Sequence, residues 1–427
     1  MSYGKDILKG RKLWIPRMSY ACARLSAAAF RAVGVGASET PESDAATLTL
    51  GGLGSSGEEC YPAKITLGDF LRIIESPDFE PDRHAFFMPT AEGPCRFGQY
   101  GPYLRHFLDD RGHKDVPVLS PSSNDGYEAI SRYGLALLFR MWRGIAAGDI
   151  IRKALLRVRP YETTAGDADE AFETSLALVE KALEDPTLSL RASLRAMVDA
   201  MGKSRKCFER IPARYEPGRP LIGVVGEIFC RLNTFSNSDA VRRIEAHGGE
   251  AWLSDVTEWV FYTNWSQRDN LGRQGYRGWS PKMLLAKFKD WRQRKDHDAL
   301  YRPWKDFFVG YEEPHDVHKE VLAPAWQYLP ADGALGEMVL SVGKSIYLHG
   351  VGADGIIDIS PFGCMNGIVS EAVYHDVSKD YDDMPIRNFY FDDSNTAMDR
   401  DLDIFMELAT NYGRRKRMTR RYPPSFS

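Results

Sequence analysis

Short apolar runs alternate with helical patterns along the first third of the chain. The runs that predict strands are Leu13–Arg17, Thr47–Leu50, His84–Thr90 and Val116–Leu119, and the helical patterns between them are Ser19–Val33 and Ile65–Ile74. Strands that alternate with helices are typical of a parallel sheet covered on both faces. We therefore predict an α/β domain over residues 1–135.

The pattern changes after this region and then returns. Residues 136–217 carry long helical patterns and few strand signals, which predicts a helical linker or subdomain. A second α/β domain is predicted over 218–412, with strands at Leu221–Ile228, Glu250–Ser254, Ile356–Ser360 and Ile386–Phe391 and a helix at Ser238–Gly248. An aromatic-rich helical insertion interrupts it at about 259–344, and we expect these aromatic side chains to lie mainly in the core. The fold class predicted is two doubly wound parallel-sheet domains that face a cleft.

Composition narrows the class of protein. The chain has 427 residues and a net charge of -4, so electrostatics do not favour nucleic-acid binding by the whole molecule. No apolar run reaches the roughly 18 residues of a membrane helix, and no signal peptide is recognised. Six cysteines are too few for a disulfide framework at this length. These features together predict a cytoplasmic protein with no membrane partner.

The basic tail suggests a contact to an acidic partner, and two G-K-S sequences resemble part of an ATP-binding motif. Residues 413–427 include R-R-K-R-M-T-R-R, for which we expect a solvated or disordered end, with a contact to an acidic partner as the alternative. G-K-S occurs at 202–204 and at 343–345, but Met197 and Met338 stand where a phosphate-binding loop needs its first glycine. An ATPase would therefore have to be a second protein.

Three cysteines lie in turns rich in glycine and proline. Cys60 precedes a predicted helix, whereas Cys95 and Cys364 follow predicted strands. Parallel sheets bind ligands beyond the carboxyl ends of their strands, and glycine lets the backbone approach a bulky group. If the three thiols converge, they suit an iron–sulfur cluster in the cleft. Zinc bound by three cysteines and a histidine is one alternative, although His84 and His247 lack metal-ligand spacing. Ordinary buried thiols are the other alternative.

Polar residues beside these turns are further candidates. Glu227 could act in proton transfer and Arg231 could bind a carboxylate or phosphate; the alternative is a buried ion pair, or a helix cap at Ser236–Asp239. Arg96 and Gln99 flank Cys95 and are candidates for hydrogen bonds to a cluster. The remaining residues considered are Cys22 (a buried thiol), Cys207 and Cys230 (spare thiols) and His247 (the end of a helix).

Five segments together resemble one family, the 2-hydroxyacyl-CoA dehydratase component and the CoA-enzyme activase-associated proteins. The same superfamily contains benzoyl-CoA reductase subunits and the double-cubane cluster proteins. The resemblance spans about residues 15–405 and is carried by G-E-E-C-Y-P-A-K, P-T-A-E-G-P-C-R-F-G-Q-Y-G, D-V-P-V-L-S-P, I-G-V-V-G-E-I-F-C-R-L-N-T-F-S-N and S-P-F-G-C-M-N-G.

The resemblance implies two α/β domains with a [4Fe–4S] cluster between them, ligated by Cys60, Cys95 and Cys364. Three protein ligands leave one iron open to substrate. It also implies low-potential electrons from an ATP-hydrolysing activase on a separate chain, used on a CoA thioester or another small molecule. A double-cubane cluster would need more ligands, for which only Cys207 and Cys230 are spare.

Three functions stay open on this basis. The first is an enzyme that carries out a reduction or a radical dehydration. The second is a non-catalytic electron carrier or assembly partner, and the third is a zinc-stabilised or metal-free binding protein. The sequence leaves the substrate unassigned and both a monomer and a dimer open.

Overall fold

The computed structural model describes residues 7–91, 93–122, 128–392 and 398–424. The chain divides into two compact units: Met1–Gly148 with Leu176–Ala200, and Asp149–Ser175 with Met201–Ser427. The helices predicted for 136–217 are present, and they are divided between both units.

The strands and helices of the described residues have the following bounds. The strands are β1 (Lys12–Ile15), β2 (Ala37–Glu39), β3 (His84–Phe87), β4 (Val118–Leu119), β5 (Leu221–Gly226), β6 (Glu250–Leu253), β7 (Gly355–Pro361) and β8 (Ile386–Phe391). The helices are α1 (Tyr20–Arg31), α2 (Ala45–Leu53), α3 (Tyr61–Ile74), α4 (Tyr100–Asp110), α5 (Glu128–Ser131), α6 (Leu135–Val158), α7 (Asp167–Glu184), α8 (Leu190–Glu209), α9 (Ile228–Leu232), α10 (Ala240–Ala246), α11 (Val256–Arg273), α12 (Pro281–Tyr301), α13 (Ala323–Ala325), α14 (Glu337–Gly350), α15 (Met365–Asp380) and α16 (Met398–Arg415). Short 3₁₀ turns lie at Pro81–Arg83, Arg96–Gln99, Arg159–Tyr161 and Arg302–Trp304, and a π-helical turn lies at His318–Leu322.

Each unit contains one parallel sheet flanked by helices, which confirms the prediction of two α/β parallel-sheet domains. In the described residues the first sheet has the strand order β2-β1-β3-β4 and the second has β6-β5-β7-β8. In both sheets the second strand in sequence lies on one side of the first strand, and the third and fourth strands lie on its other side. Right-handed crossovers then put helices on opposite faces, and the carboxyl ends of the two central strands become the place where such sheets bind ligands.

The segment Thr47–Leu50, for which the alternating Thr and Leu predict a strand, is instead part of α2. Asp44 caps this helix: its side chain accepts a hydrogen bond from the backbone of Thr47, whose hydroxyl bonds back to the cap residue. Two glycines let α2 contact α3 closely, since a Cβ at Gly68 would lie 1.9 Å from the carbonyl oxygen of Thr47. The strand prediction is wrong because the cap and this close packing outweigh a local alternation.

The core of the first unit surrounds β3. Phe86 and Met88 contact the apolar faces of α3 and α4, including Phe70 and Leu108, and all four are buried. This packing fixes α3 and α4, which begin at or close to the cysteine turns.

The basic tail of the second unit contacts its own unit at two cations, so the predicted solvated end is wrong at Arg420 but right for the exposed Arg414, Arg415, Arg417 and Arg421. Arg420 is 8% exposed and makes an ion pair with Glu250 of β6, and Lys416 pairs with Asp354 beside β7. A Cβ at Gly352 would lie 2.8 Å from the backbone of Arg420, which shows how closely the tail approaches. The buried carboxylates of the unit neutralise these cations.

The aromatic-rich insertion is only partly core. Trp304, Phe308 and Tyr311 are buried, as expected, whereas Phe288 and Trp291 on α12 are at least half exposed. None of the described helices combines the length and the apolar character needed to cross a membrane.

Candidate functional site

Each of the three turn cysteines is the N-cap residue of a helix. Cys60 precedes α3, Cys95 precedes the 3₁₀ turn Arg96–Gln99, and Cys364 precedes α15. The first backbone N–H groups of a helix lack intrahelical partners and carry a partial positive charge. The start of a helix works to lower the pKa of a thiol placed there, and burial or nearby carboxylates work against it.

The thiol of Cys60 lies on the wall of a pocket of about 370 Å³ in the first unit. Its sulfur is 2.7 Å from the hydroxyl oxygen of Tyr100, the first residue of α4. The pocket lining combines this thiol with charged, amide and phenol groups: Glu58, Glu59, Cys60, Ala63, Arg96, Gln99, Tyr100, Pro102 and Tyr103. Cys60, Arg96 and Gln99 therefore line one pocket, whereas Cys95 is not among its lining residues.

A direct contact joins the two cysteine turns of this unit. The guanidinium of Arg96 donates a hydrogen bond of 3.0 Å to the backbone carbonyl of Glu58, two residues before Cys60. Cys95 itself is exposed, and the backbone N–H of Gly98 bonds to its carbonyl. Arg96 therefore positions the Cys60 turn, and its exposed guanidinium still faces the pocket.

Glu59 and Tyr103 stiffen the other wall of the pocket. The carboxylate of Glu59 accepts hydrogen bonds from the backbone N–H groups of Ser56 and Gly57. Partial burial works to raise the pKa of Glu59, but the Ser56 and Gly57 donors outweigh it and hold the pKa below its usual value. The hydroxyl of Tyr103 donates to the carbonyl of Gly54, so the loop between α2 and α3 is held at several points.

Cys364 in the second unit follows β7 at the centre of its sheet. Strands β5 and β7 are neighbours there, and the N–H of Glu227 bonds to the carbonyl of Ile359 at 2.8 Å. Burial raises the pKa of the Cys364 thiol to about 12; the nearby carboxyls of Glu227 and Glu337 add to this, although the backbone N–H groups of Gly367 and Asn366 oppose it. This thiol keeps its proton unless a cation replaces it.

Glu227 and Arg231, the predicted proton-transfer and anion-binding residues, both lie at this corner. The carboxylate of Glu227 caps α9 by accepting from the N–H groups of Phe229 and Cys230, at 3.0 and 2.8 Å. Burial raises the pKa of Glu227. Arg231 is buried, donates to the carbonyls of Gly226 and Ser254, and has a pKa that burial lowers. These contacts are structural, and a chemical role for either residue stays a prediction.

Glu337 is a second carboxyl at the same corner, beside Glu227. Its side chain accepts hydrogen bonds from the amide of Asn366, at 2.9 Å, and from the N–H of Ile228. Burial and the charge of Glu227 raise the pKa of Glu337 to about 7, against the opposing charge of Arg231. A buried carboxyl with a pKa near neutrality is able to hold or release a proton at physiological pH.

The other residues considered from the sequence have structural surroundings. Cys22 and Cys230 are buried, and Cys207 is half-buried on α8. His247 ends α10, as predicted, with its ring bonded to the carbonyl of Arg243. Both G-K-S sequences lie inside helices, and Lys344 of the second is buried in ion pairs with Glu258 and Glu313.

Tyr100 and Glu337 were not predicted from the sequence. Tyr100 belongs to the same G-P-C-R-F-G-Q-Y segment as Cys95, so its closeness to that cysteine in the chain was a usable signal. Nothing marks Glu337, which stands between Gly336 and Met338 more than a hundred residues from Glu227. Only the packing of α14 beside β5 brings the two carboxyls together.

The thiols present suit an iron–sulfur cluster in the chemistry of their donors. Thiolate ligands with backbone N–H groups directed at the sulfur are the usual environment of such clusters, and the Cys364 turn supplies these N–H groups. Within the part of the chain that the structure describes, no three His, Cys, Asp or Glu side chains are grouped as ligands of one metal ion. Cys60 and Cys95 belong to the first unit and Cys364 to the second.

A scan against protein-family models found no match to this chain, and a search of curated proteins found no similar sequence.

Proposed function

We propose that this chain is an iron–sulfur redox protein in which Cys60, Cys95 and Cys364 ligate one [4Fe–4S] cluster. The observation that carries the proposal is that each of these cysteines stands at the N-cap position of a helix or 3₁₀ turn. These three cysteines are far apart in sequence, yet each directly precedes a helical segment whose first backbone N–H groups lack intrahelical partners. The resemblance of the five sequence segments to the 2-hydroxyacyl-CoA dehydratase component supports the same assignment.

The cluster would supply single-electron chemistry to a substrate bound at an open iron. The electrons would come from an ATP-hydrolysing activase on a separate chain, and the substrate would be a CoA thioester or another small molecule that undergoes reduction or radical dehydration.

The residues around the thiols have distinct parts in this proposal. Tyr100 donates a hydrogen bond to the sulfur of Cys60 when that sulfur carries no proton. Arg96 holds the Cys60 turn and offers charge to an anionic substrate at the pocket. Glu337, whose pKa lies at about 7, holds a proton close to the Cys364 turn.

Iron and sulfide analysis of anaerobically purified protein tests the proposal. We expect about four irons and four sulfides per chain, with an EPR signal after reduction. Cys60→Ser, Cys95→Ser and Cys364→Ser should each lose most of this iron and keep their fold by circular dichroism. Cys207→Ser, a change at a half-buried thiol outside the three turns, should keep it.

Wild-type protein without iron and sulfide, or the same iron content in all four variants, would contradict the proposal. Turnover with a strong reductant and a partner activase then separates an enzyme from an electron carrier. An electron carrier would be reduced under these conditions without forming product from any CoA thioester.

A further inference from the structure

The outer face of α12 exposes large apolar side chains. Leu284, Phe288 and Trp291 follow one another at helical spacing and are 52%, 56% and 50% exposed. Leu285 on α12 and Trp279, which lies just before the helix, enlarge the patch and are also exposed. An exposed apolar patch of this kind marks a surface that binds something.

The opposite face of α12 already has its partners, so the outer face is not a misplaced core. Met283, Ala286 and Leu300 are buried. Asp290 bonds to Asn264 and pairs with Arg268 of α11. The inner face therefore holds α12 in place, while half or more of each apolar side chain on the outer face stays exposed.

Cations surround the apolar patch. Segment 277–296 contains seven Lys and Arg residues and only Asp290 and Asp296 as acids, in a chain whose net charge is -4. Both aspartates are buried and paired with arginines of this unit. Among the described residues, no carboxylate lies within ion-pair distance of the cations at the rim, Arg277, Lys282, Lys287 and Lys295. The face is therefore apolar at its centre and positive at its edge, which favours an anionic partner.

The cations lie beside aromatic rings. The ammonium of Lys295 is 5.2 Å from the ring centre of Trp291, that of Lys282 is 4.8 Å from Tyr276, and the guanidinium of Arg277 is 6.0 Å from Trp279. Amphipathic rings at the level of the headgroups, with cations that reach the phosphates, are typical of helices that lie on a bilayer.

We propose that this face, formed by Trp279, Leu284, Leu285, Phe288 and Trp291 with its rim of cations, binds the surface of an anionic phospholipid bilayer. A second copy of the chain would oppose the same cations, which disfavours self-association through this face. Protein interfaces are enriched in Arg and depleted in Lys, whereas three of the four rim cations are Lys. Binding to a bilayer surface needs no membrane-spanning helix. The proposal is independent of the iron–sulfur assignment.

Flotation of the full-length protein with lipid vesicles at low salt tests this inference. We expect binding to vesicles that contain phosphatidylglycerol and little binding to phosphatidylcholine alone, with release at high salt. Leu284→Gln should weaken binding about tenfold, because it removes one apolar side chain that becomes buried in the bilayer when the protein binds. Lys287→Gln should weaken it about fivefold.

Leu408→Gln is the matched control, because Leu408 on α16 is 53% exposed but lies outside the patch. This variant should bind as the wild type does. Absence of wild-type binding to anionic vesicles overturns the proposal, as does equal loss of binding in Leu284→Gln and Leu408→Gln. A dimer in light scattering that Leu284→Gln abolishes would assign the face to self-association instead and would also overturn it.

Discussion

In the first unit the thiol of Cys60 lies on an open pocket beside a phenol, whereas in the second unit the thiol of Cys364 lies beside two carboxyls. Both cysteines stand at the N-terminus of a helix in a unit built on a parallel sheet. The difference between the two sites therefore comes from the side chains around them. The helix start fixes where the cysteine lies, and the neighbouring side chains set the pKa of its thiol.

The carboxyls beside Cys364 come from separate parts of the second unit. Glu227 follows β5 and Glu337 begins α14, while the acids next to Cys60, Glu58 and Glu59, are its neighbours in sequence. Glu59 is satisfied by backbone donors and stays charged. Glu337 is buried beside another carboxyl and takes up a proton near neutrality. Of Glu59, Glu227 and Glu337, the two acids beside Cys364 have a raised pKa, whereas that of Glu59 is lowered.

Replacing Glu337 should have the largest effect on this contrast. Between pH 4.5 and about 7 the folded protein keeps a proton on Glu337 that the unfolded chain has released. The free energy of unfolding therefore falls as the pH rises through this range, by about 3 kcal/mol for this group. Glu337→Gln removes the ionisation, so urea unfolding at pH 5 and pH 8 should show a smaller loss of stability than in the wild type.

Glu407→Gln is the control for this measurement, because Glu407 is an exposed carboxylate on α16. Its pH dependence should match that of the wild type. If Glu337→Gln keeps the full pH dependence, Glu337 is ionised in the folded protein and the contrast between the two sites is wrong.

The reactivity of Cys364 should show the next largest effect. With a pKa of about 12, its thiolate is scarce at pH 8. The greater nucleophilicity of a basic thiolate offsets part of this, so exchange with an aromatic disulfide should be about fiftyfold slower than for a small thiol. Mass spectrometry of the metal-free protein measures the rate at each cysteine.

Cys207 controls for access in that experiment, since it is half-buried as Cys364 is. A rate at Cys364 equal to that at Cys207 would mean that the carboxyls and burial do not retain its proton. A slow rate at Cys364 alone would sharpen the contrast with the pocket thiol.

Local sequence predicted most of the sheet and the positions of the cysteine turns, but less of their surroundings. Strand β5 is a continuous apolar run, and β7 has a shorter one at Ile356 and Ile357 before the buried Asp358, so both can be predicted from the sequence. Strand β2 is only Ala-Ser-Glu and has no such run. The sequence of α2 has a strand-like pattern, and only its contact with α3 shows that it is a helix. Elements whose identity depends on a partner distant in sequence cannot be found from local pattern.

The same reason explains what was predicted of the sites. Cys60, Arg96 and Gln99 lie in short turns with distinctive glycines, and the structure brings them to one pocket. The proton-holding partner of Cys364 could not be predicted, because Glu337 joins it only through the packing of α14. The burial of Arg420 in the basic tail could not be predicted for the same reason, because Glu250, which neutralises it, is 170 residues away.

The smallest effect expected is at Tyr100. Tyr100→Phe removes the hydroxyl that lies 2.7 Å from the Cys60 sulfur and leaves the ring in place. A hydrogen bond to a charged group is worth about 2 kcal/mol, and the greater nucleophilicity of the more basic thiolate offsets nearly half of its loss, so disulfide exchange at Cys60 should slow about sixfold in the metal-free protein. Cys364, in the other unit, should be unaffected.

Tyr103→Phe is the matched change, because Tyr103 lines the same pocket but donates to the backbone of Gly54 instead of to sulfur. It should leave the rate at Cys60 close to that of the wild type, even if it loosens the loop before α3. Equal slowing in both variants would mean that the pocket acts on Cys60 only through its shape. Slowing in Tyr100→Phe alone means that one phenol makes the pocket thiol reactive, as the carboxyls around Cys364 make that thiol inert.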